Sequence, residues 1–226
     1  YLFFLIFLLP VFLSAQTINA AYVKALYKKY PTAKSAFCPA CKIWVNPYFK
    51  SIADTAKHFP VITFYIYTRA DRLKQEALNL PRSGRYAAWH HADEQPDEAK
   101  IYAAANKKIG KPHSPYMIAK GHCQAWILLA WSVDGALLSD TYTFNAAMEY
   151  QGQNTGTEEA TEDLCRSLTG WKGAAVTDSV KIWCGTSGSQ HVYTKKKITD
   201  IVPAYYYKII QYTDRQQNKK VTLCYW

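Results

Sequence analysis

Residues 120–166 read KGHCQAWILLAWSVDGALLSDTYTFNAAMEYQGQNTGTEEATEDLCR, and the end of this stretch carries the clearest local signals in the chain. Thr155 and Glu158 have the spacing of a capping box, which predicts that a helix begins after Asn154. Gly170 is well placed to end that helix. A stripe predicted to be buried recurs every four residues: Ala160, Leu164 and Leu168. The pattern predicts a helix of about four turns.

The other face of this predicted helix carries polar side chains at the same spacing: Asn154, Glu158, Glu162 and Arg166. Since four residues advance about 40° beyond a full turn, these side chains share one face. An amide, two carboxylates and a guanidinium in one row are commonly a solvated ion-pair face. The row by itself does not decide between such a face and a functional site.

Two residues upstream of the helix complete an ordered series. His122 ends the segment Ala-Lys-Gly-His, and Asn145 ends a short run typical of a strand. With Asn154, Glu162 and Arg166, they resemble the motif series of the DNA/RNA non-specific endonucleases, which is Asp-Arg-Gly-His, Ser-Asn-x-x-Pro-Gln and Asn-x-x-x-Trp-x-x-x-Glu-x-x-x-Arg. The resemblance runs weakly from about residue 63 to the end of the chain. It implies an α+β, ββα-metal nuclease fold, in which helices flank a largely antiparallel central sheet and a strand-loop-strand-helix unit binds the metal.

The resemblance also implies a role for each matching residue. His122 would be the general base, because an imidazole can take a proton at neutral pH. Asn154 would be the only direct protein ligand of a Mg²⁺ ion, for which Mn²⁺ could substitute, and Glu162 would reach the ion through water. Arg166 would stabilise phosphate charge with its forked donors.

Further phosphate-binding residues follow from the same resemblance. The family carries another arginine upstream of the histidine, and Arg85 fits its surroundings best, with Arg82 as the close alternative. Asn145 would lie near the phosphate or orient the backbone. Lys120 stands where the family has Arg, which replaces a bidentate donor with a point charge. Glu158 stands where the family has Trp, and Met-Glu replaces Pro-Gln at residues 148–149.

Composition and patterning agree with a folded, basic protein. The chain has 226 residues, with 27 Lys and Arg against 17 Asp and Glu, so its formal charge is +10. Such a surplus favours polyanionic partners, nucleic acid first, although solubility alone could also explain it. Strands are predicted at residues 61–68, 141–145, 179–184, 205–212 and 221–225, and a short helix at 98–107. The absence of a regular β-α-β rhythm favours α+β with a largely antiparallel sheet.

Two features predict an extracellular protein. The first fifteen residues are uncharged and mostly apolar, as in a signal peptide that has lost its start, so residues 1–20 are interpreted as a leader cleaved near 15 or 20 and residues 21–226 as one domain. Behind such a leader, six cysteines predict up to three disulfides: Cys38, Cys41, Cys123, Cys165, Cys184 and Cys224. Cys38 and Cys41 could otherwise be half of a zinc site or a redox pair. A Cys123–Cys165 bridge is a further hypothesis.

The sequence therefore predicts a secreted, Mg²⁺-dependent endonuclease that cleaves DNA and RNA without reading their sequence, and no stable membrane association of the mature chain. The oligomeric state stays open. One rival is a catalytically weak, secreted nucleic-acid-binding protein on the same fold. Another is a disulfide-stapled module that binds glycans or membranes. The remaining histidines are expected to be surface or loop residues, without metal-ligand spacing: His58, His90, His91, His113 and His191.

Overall fold

A computed structural model describes residues 18, 20–86, 88–91, 98–110, 114–195 and 198–226. The proposed leader therefore lies almost wholly outside the described residues, as does His113. No helix in the described part of the chain is long and apolar enough to cross a membrane.

Thirteen strands and seven α-helices are defined in the described ranges. The first half of the chain forms α1 (Ala20–Lys29), β1 (Ala33–Lys34), β2 (Cys41–Val45), β3 (Lys50–Asp54), β4 (Phe59–Thr68), α2 (Arg69–Leu78), β5 (His90–His91) and α3 (Glu98–Ile109). The middle forms β6 (Ile118–His122), α4 (Trp126–Leu129), α5 (Val133–Ser139), β7 (Thr141–Tyr142), β8 (Ala146–Tyr150), α6 (Gln151–Gln153) and α7 (Glu159–Leu168). The end forms β9 (Ser179–Ser187), β10 (His191–Lys195), β11 (Ile198–Val202), β12 (Tyr205–Asp214) and β13 (Lys219–Tyr225).

The main sheet has seven strands in the order β1-β2-β3-β4-β9-β12-β13, and each neighbouring pair is antiparallel. Its central strand β4 alternates as a pleated strand with one buried face should: Thr63, Tyr65 and Tyr67 are buried, whereas Ile66 between them is exposed. The predicted strands at 61–68, 179–184, 205–212 and 221–225 all lie in this sheet. The prediction of a largely antiparallel α+β protein is confirmed.

The main core lies between one face of this sheet and the helices. Tyr67 and Ile182 from the sheet pack with Leu26 of α1, Leu137 of α5 and Leu168 of α7. Trp44 is fully buried in the same cluster and stacks on Tyr27, with 5.6 Å between ring centroids. Aromatic and aliphatic side chains from six or more elements thus fix where α7 lies against the sheet.

A second, four-stranded sheet in the order β5-β7-β8-β6 carries the segment singled out in the sequence. β6 and β8 pair antiparallel, with Lys120 opposite Met148 and His122 opposite Ala146. The chain leaves β8 directly into α6, a π-helical turn at Asn154–Glu158 and then α7. Strand, connection, strand and helix therefore follow one another as predicted.

The start of this helical segment differs from the sequence prediction, whereas its end at Gly170 is as predicted. The helix begins at Gln151, not after Asn154, and the Thr155 hydroxyl donates to the Gln151 carbonyl at 2.9 Å, so no capping box forms there. Gly170 does end the helix, with φ of 99° and the two hydrogen bonds of a Schellman motif, Gly170 N–H to Ser167 and Trp171 N–H to Arg166. Ala160 is exposed rather than buried.

One disulfide, Cys38–Cys41, is formed among the described residues. The other four cysteines are free thiols, of which Cys224 is exposed. The predicted Cys123–Cys165 bridge is wrong, because Cys123 contacts Cys184 of β9 instead while Cys165 packs in the main core. The packing of α7 against the sheet determines which cysteines lie close together, and the local sequence does not show this packing.

Candidate active site

His122 ends β6 and is positioned by the pairing of β6 with β8. Alternate residues of a strand share a face, so Lys120 and His122 point to the same side of the second sheet. The Cα of Gly121 faces the other side of the sheet, where the side chain of Glu149 from β8 packs against it. A Cβ atom at Gly121 would lie 2.1 Å from Glu149 Oε2, so only glycine fits at this position.

The His122 ring is held at both nitrogens. Nε2 lies 2.8 Å from Asp140 Oδ1, and both side chains are buried. Since a carboxylate can only accept a hydrogen bond, Nε2 carries the proton in the neutral imidazole and Nδ1 keeps the lone pair. Nδ1 faces Arg82, whose terminal nitrogen lies 3.4 Å away. The ring also contacts Trp89, with 4.8 Å between centroids.

The two upstream arginines are placed differently. Arg82 lies at His122 and over the Trp126 ring, at 5.8 Å from its centroid. Arg85 is exposed and donates to the hydroxyl of its neighbour Tyr86 at 3.0 Å. The structure thus brings Arg82, the alternative, to the predicted base, and holds Arg85 on the surface beside Tyr86.

Asn154 and Glu162 lie on the helical segment that follows β8, and the π turn brings them into line. In a regular α-helix, eight residues would place the two side chains about 80° apart. A π turn takes up one extra residue, so that they align like α-helical positions seven apart, within about 20°. By this geometry the two side chains leave the helical segment on the same side.

Glu162 is a half-buried carboxylate within reach of the His122 centre. Burial raises the pKa of Glu162, while the nearby charges of Lys208, His122 and Arg82 oppose this shift. These neighbours come from β12, β6 and the segment after α2, so three parts of the chain converge on one carboxylate. The row on the helix is therefore not a solvated ion-pair face.

Glu158 occupies the place where the family pattern has Trp, and its charge is compensated. Lys208 of β12 is buried, donates to Glu158 Oε2 and donates to the Thr161 hydroxyl at 3.0 Å. Burial alone would lower the pKa of Lys208, but attraction to Glu158 outweighs it and the net shift is upward. The ion pair anchors the π turn to the main sheet.

Glu149 is buried beside this ion pair, and neither of its carboxylate oxygens has a hydrogen-bond partner in the protein. Burial, followed by repulsion from Glu158, raises its pKa to about 9, against the pull of Lys208. Glu149 is therefore protonated and uncharged at neutral pH. A protonated carboxyl group is close in shape and charge to the glutamine amide that the family pattern has here.

A cleft of about 470 Å³ opens beside the base, lined by Lys120, Trp89, Asn154 and Asn106 among others. The Lys120 ammonium lies 4.8 Å from the centroid of the Trp89 ring and 5.4 Å from that of Tyr142. Burial lowers the pKa of Lys120, and the Asp140 carboxylate opposes this shift. Trp89 lines the cleft and also contacts His122, so one side chain connects the cleft with the base.

The last two predicted phosphate ligands are held by other contacts. Arg166 stacks on Trp171, with 3.6 Å from its Cζ to the ring centroid, and donates to Asp163 at 3.3 Å. Asn145 is fully buried. Its amide nitrogen donates to the carbonyls of Gln124 and Ser139, and its oxygen accepts from the Gln124 N–H, each at 2.8 Å. Of the two roles predicted for Asn145, these contacts favour the second, because the side chain fixes the backbone after His122 and has no free donor for phosphate.

Asp140 was missed by sequence reasoning, although it is the partner that orients His122. The available signal was weak: Asp134 and Asp140 are the only acidic residues between His122 and Asn145. The Asp140 carbonyl also accepts from the His90 N–H at 2.9 Å, which ties the end of α5 to β5. Only the fold shows which of the two carboxylates reaches the imidazole.

The histidine prediction is also corrected. His191 is exposed as expected, but His58 is buried and hydrogen-bonded to Asp200 through its Nδ1. His91 is half-buried and stacks on Tyr142, with 4.7 Å between centroids. The spacing of these histidines in the sequence carries no sign of this, because their partners come from α3 and β11.

Comparison with known proteins agrees with this fold. The chain is similar to a chain of the solved structure described as "Crystal structure of the EndoG/EndoGI complex: Mechanism of EndoG inhibition", with a TM-score of 0.54 and 16% identity over 81% of this chain and 72% of that chain. At that identity the likeness shows the fold, which is that of the ββα-metal nucleases. None of the curated proteins matches the chain.

A family match that covers nearly the whole chain shows the family. The family model described as DNA/RNA non-specific endonuclease matches residues 12–226. The chain belongs to the DNA/RNA non-specific endonuclease family, and is thus a nuclease by membership.

Proposed function

We propose that this protein is a secreted, Mg²⁺-dependent endonuclease that hydrolyses phosphodiester bonds of both DNA and RNA. The observation that carries the proposal is the His122 ring, hydrogen-bonded to Asp140 at Nε2 and facing Arg82 at Nδ1. A base, the carboxylate that orients it and a cation able to bind phosphate are what general-base hydrolysis of a phosphodiester requires.

His122 would take the proton of the attacking water at Nδ1, which the Asp140 hydrogen bond leaves as the accepting nitrogen. Arg82 would hold a phosphate oxygen beside this nitrogen, since a guanidinium offers several donors in a fixed plane. Upon phosphate binding, the Arg82 donors would shift from His122 to the substrate. This would set the water, the base and the phosphorus at close range.

The side chains present fit a Mg²⁺ ion. Asn154 offers an amide oxygen in the cleft and Glu162 a carboxylate aimed to the same side of the helix, and hard oxygen donors are those that Mg²⁺ prefers. Burial of the Glu162 carboxylate, which raises its pKa, is the setting in which a nearby cation is favourable. Asn154 would bind the ion directly, and Glu162 through water. When bound, the ion supplies Lewis-acid stabilisation of the leaving oxygen, and Mn²⁺ could replace it.

The cleft suits a polynucleotide without base-specific contacts. Lys120 and the half-buried Arg166 would supply positive charge for phosphates, and exposed Arg85 could add to it. Trp89 offers a ring face on which any base could stack. With a net charge of +10, the surface would attract the polyanion through sequence-independent contacts.

Secretion belongs to the same proposal. Its support is the apolar run at residues 1–15 and the Cys38–Cys41 disulfide, since disulfides persist in oxidising compartments.

The test is cleavage of plasmid DNA and of a long RNA by the wild-type protein and by Asn154→Ala, each with Mg²⁺ and with EDTA. We expect the wild type to cut both substrates with Mg²⁺ only. Asn154→Ala should need far more Mg²⁺ for the same rate, because a direct ligand is lost. Salt-sensitive binding of both nucleic acids without any cleavage would overturn the proposal in favour of a binding protein on a nuclease fold.

A further inference from the structure

A second group of ionisable side chains lies apart from His122, Asn154 and Glu162. His58 stands in the turn before β4, His91 ends β5, Glu98 begins α3 and Asp200 lies in β11. His58, Glu98 and Asp200 are buried, and one ligand atom from each lies within 4.8 Å of the others. Three distant segments of the chain thus bring one imidazole and two carboxylates to one point, and His91 adjoins this point through Glu98.

Two separations in this group suit a shared ion, and the direct hydrogen bond from His58 Nδ1 to Asp200 Oδ1 is the contact that the ion would replace. His58 Nδ1 lies 3.5 Å from Glu98 Oε1, and His91 Nδ1 lies 3.2 Å from Glu98 Oε2. Two ligands bound to one tetrahedral ion at bond lengths of 2.0–2.1 Å lie about 3.3 Å apart. The carboxylate of Glu98 therefore has one oxygen towards each histidine, at the spacing that a common metal would impose.

Several atoms of the group lack hydrogen bonds despite their burial. Glu98 Oε2, His91 Nδ1 and Asp200 Oδ2 have no hydrogen-bond partner in the protein, although the first two are only 3.2 Å apart. The side chains of Glu98 and Asp200 are exposed by only 2% and 3%. Buried carboxylate oxygens without a partner are costly, and a cation between them would satisfy them.

The charge of this group of side chains also favours a bound cation. Two buried carboxyl groups share this one place, an arrangement that a divalent cation would balance. No Lys or Arg among the described residues forms an ion pair with Glu98 or Asp200. Thr143 donates a hydrogen bond to Glu98 Oε1, which orients that carboxylate without neutralising it.

We propose that His58, His91, Glu98 and Asp200 form a structural zinc site, separate from the candidate active site. Imidazole nitrogens and carboxylate oxygens are both donors that Zn²⁺ accepts, whereas Mg²⁺ and Ca²⁺ prefer oxygen alone. His58, Glu98 and Asp200 would supply three ligands and His91 beside Glu98 the fourth, so that the protein would fill all four positions, as in structural rather than catalytic zinc sites.

Zinc there would stabilise one wall of the nucleic-acid cleft. His91 stacks on Tyr142, Tyr142 contacts Trp89 at 5.1 Å between centroids, and Trp89 contacts His122. Since the Lys120 ammonium lies over both Trp89 and Tyr142, the ion would hold the aromatic support of that lysine in place.

The experiment measures zinc bound to the purified protein by elemental analysis, after dialysis against Zn²⁺ with excess Mg²⁺ and then against metal-free buffer. The variants are His58→Asn, Asp200→Asn, Asn154→Ala and the control His191→Asn, which removes an exposed histidine. Asn suits position 58, because His58 has a φ of 57° and asparagine tolerates that region.

We expect about one Zn²⁺ per chain in the wild type, in His191→Asn and in Asn154→Ala. His58→Asn and Asp200→Asn should bind zinc on the order of 100-fold more weakly, and added Zn²⁺ should raise the melting temperature of the wild type but not of Asp200→Asn. If His58→Asn does not fold, the zinc content of Asp200→Asn alone tests the proposal. The proposal is overturned if the wild type retains no zinc, if both variants retain a full equivalent, or if Asn154→Ala loses it.

Discussion

His122 is fixed more firmly than its place at the end of a strand requires. Asp140 holds Nε2 at 2.8 Å inside the protein, and Arg82 stands at Nδ1, the nitrogen that would take the proton. A base held in one tautomer and one orientation loses no free energy in being aligned for each turnover. The residue that provides this alignment is Asp140, which makes it a positioning residue.

Asp140→Asn should lower kcat by about 100-fold or more and leave KM nearly unchanged. An amide can offer its NH₂ group to Nε2, which would move the ring proton to Nδ1 and block it as a base. Steady-state cleavage of a short duplex at several substrate concentrations measures both constants. Asp134→Asn, on neighbouring α5 and bonded to Tyr22, serves as the matched control. Equal kcat values for the two variants would rule out this role for Asp140.

Glu149 gives a second prediction, for stability. Its folded pKa is about 9, against an ordinary 4.5, and Glu158, Lys208 and Glu162 are the charges that act on it. Between these two values the unfolded chain has lost the proton while the folded chain keeps it, so stability falls as pH rises. Glu149→Gln removes this cost and should stabilise the protein at pH 8 by on the order of a few kcal/mol relative to its effect at pH 5.

Thermal and urea unfolding at the two pH values check this prediction. The variant and the wild type should have nearly equal stability near pH 4.5, and the gap should widen as pH approaches 9. A gap that is the same at both ends of the range would show that Glu149 does not titrate in this window.

At the scale of elements, the π turn at Asn154–Glu158 is the feature that joins fold and site. It lies between β8, which places the chain beside His122, and α7, whose Leu168 packs in the core. Since both ends are fixed, the extra residue of the π turn sets the angle between Asn154 and Glu162. Functional sites often keep such interruptions for this reason.

Inserting one alanine after Gly156 should rotate Asn154 away from Glu162 by about 100°, because each further helical residue adds that angle between them. We expect helix content to be kept and Mg²⁺-dependent cleavage to fall at least about 100-fold, since small misplacements of catalytic groups have effects of that size. Gly156→Ala keeps the length, and a Cβ there would meet no atom within 4 Å, so this control should remain active. Full activity of the insertion variant would show that the angle between Asn154 and Glu162 is irrelevant to the site.

Sequence patterns captured the regular elements of this fold and the order of its motif residues. The runs at 61–68 and 205–212 are β-branched and aromatic, and both form strands of the main sheet. Local patterns failed where the structure depends on distant partners. The π turn has no periodicity that a sequence pattern could show. Thr155 lies inside the helix, where its hydroxyl bonds a backbone carbonyl instead of capping the helix start. The charge of Glu158 is neutralised by Lys208, which lies on a strand fifty residues away. The choices between Arg82 and Arg85 and between Asp134 and Asp140 are likewise made by packing.

At the scale of the molecule, two sheets meet at one helical segment. The seven-stranded sheet and its helices supply the core, while the small sheet carries His122, Lys120 and the aromatic wall of the cleft. Lys208 reaches from the large sheet to the π turn, so the two parts share the buried ion pair beside Glu162. The site therefore depends on the whole fold, and its function is best tested on the full chain.

The most direct test compares plasmid cleavage in Mg²⁺ by the wild type, His122→Ala and His191→Ala, with circular dichroism to confirm folding. The account predicts that His191→Ala cuts like the wild type. His122→Ala should stay folded, bind DNA and lose at least about 100-fold in rate, the scale of a general base. Cleavage by folded His122→Ala within a few-fold of the wild type would contradict the assignment of His122 as the base.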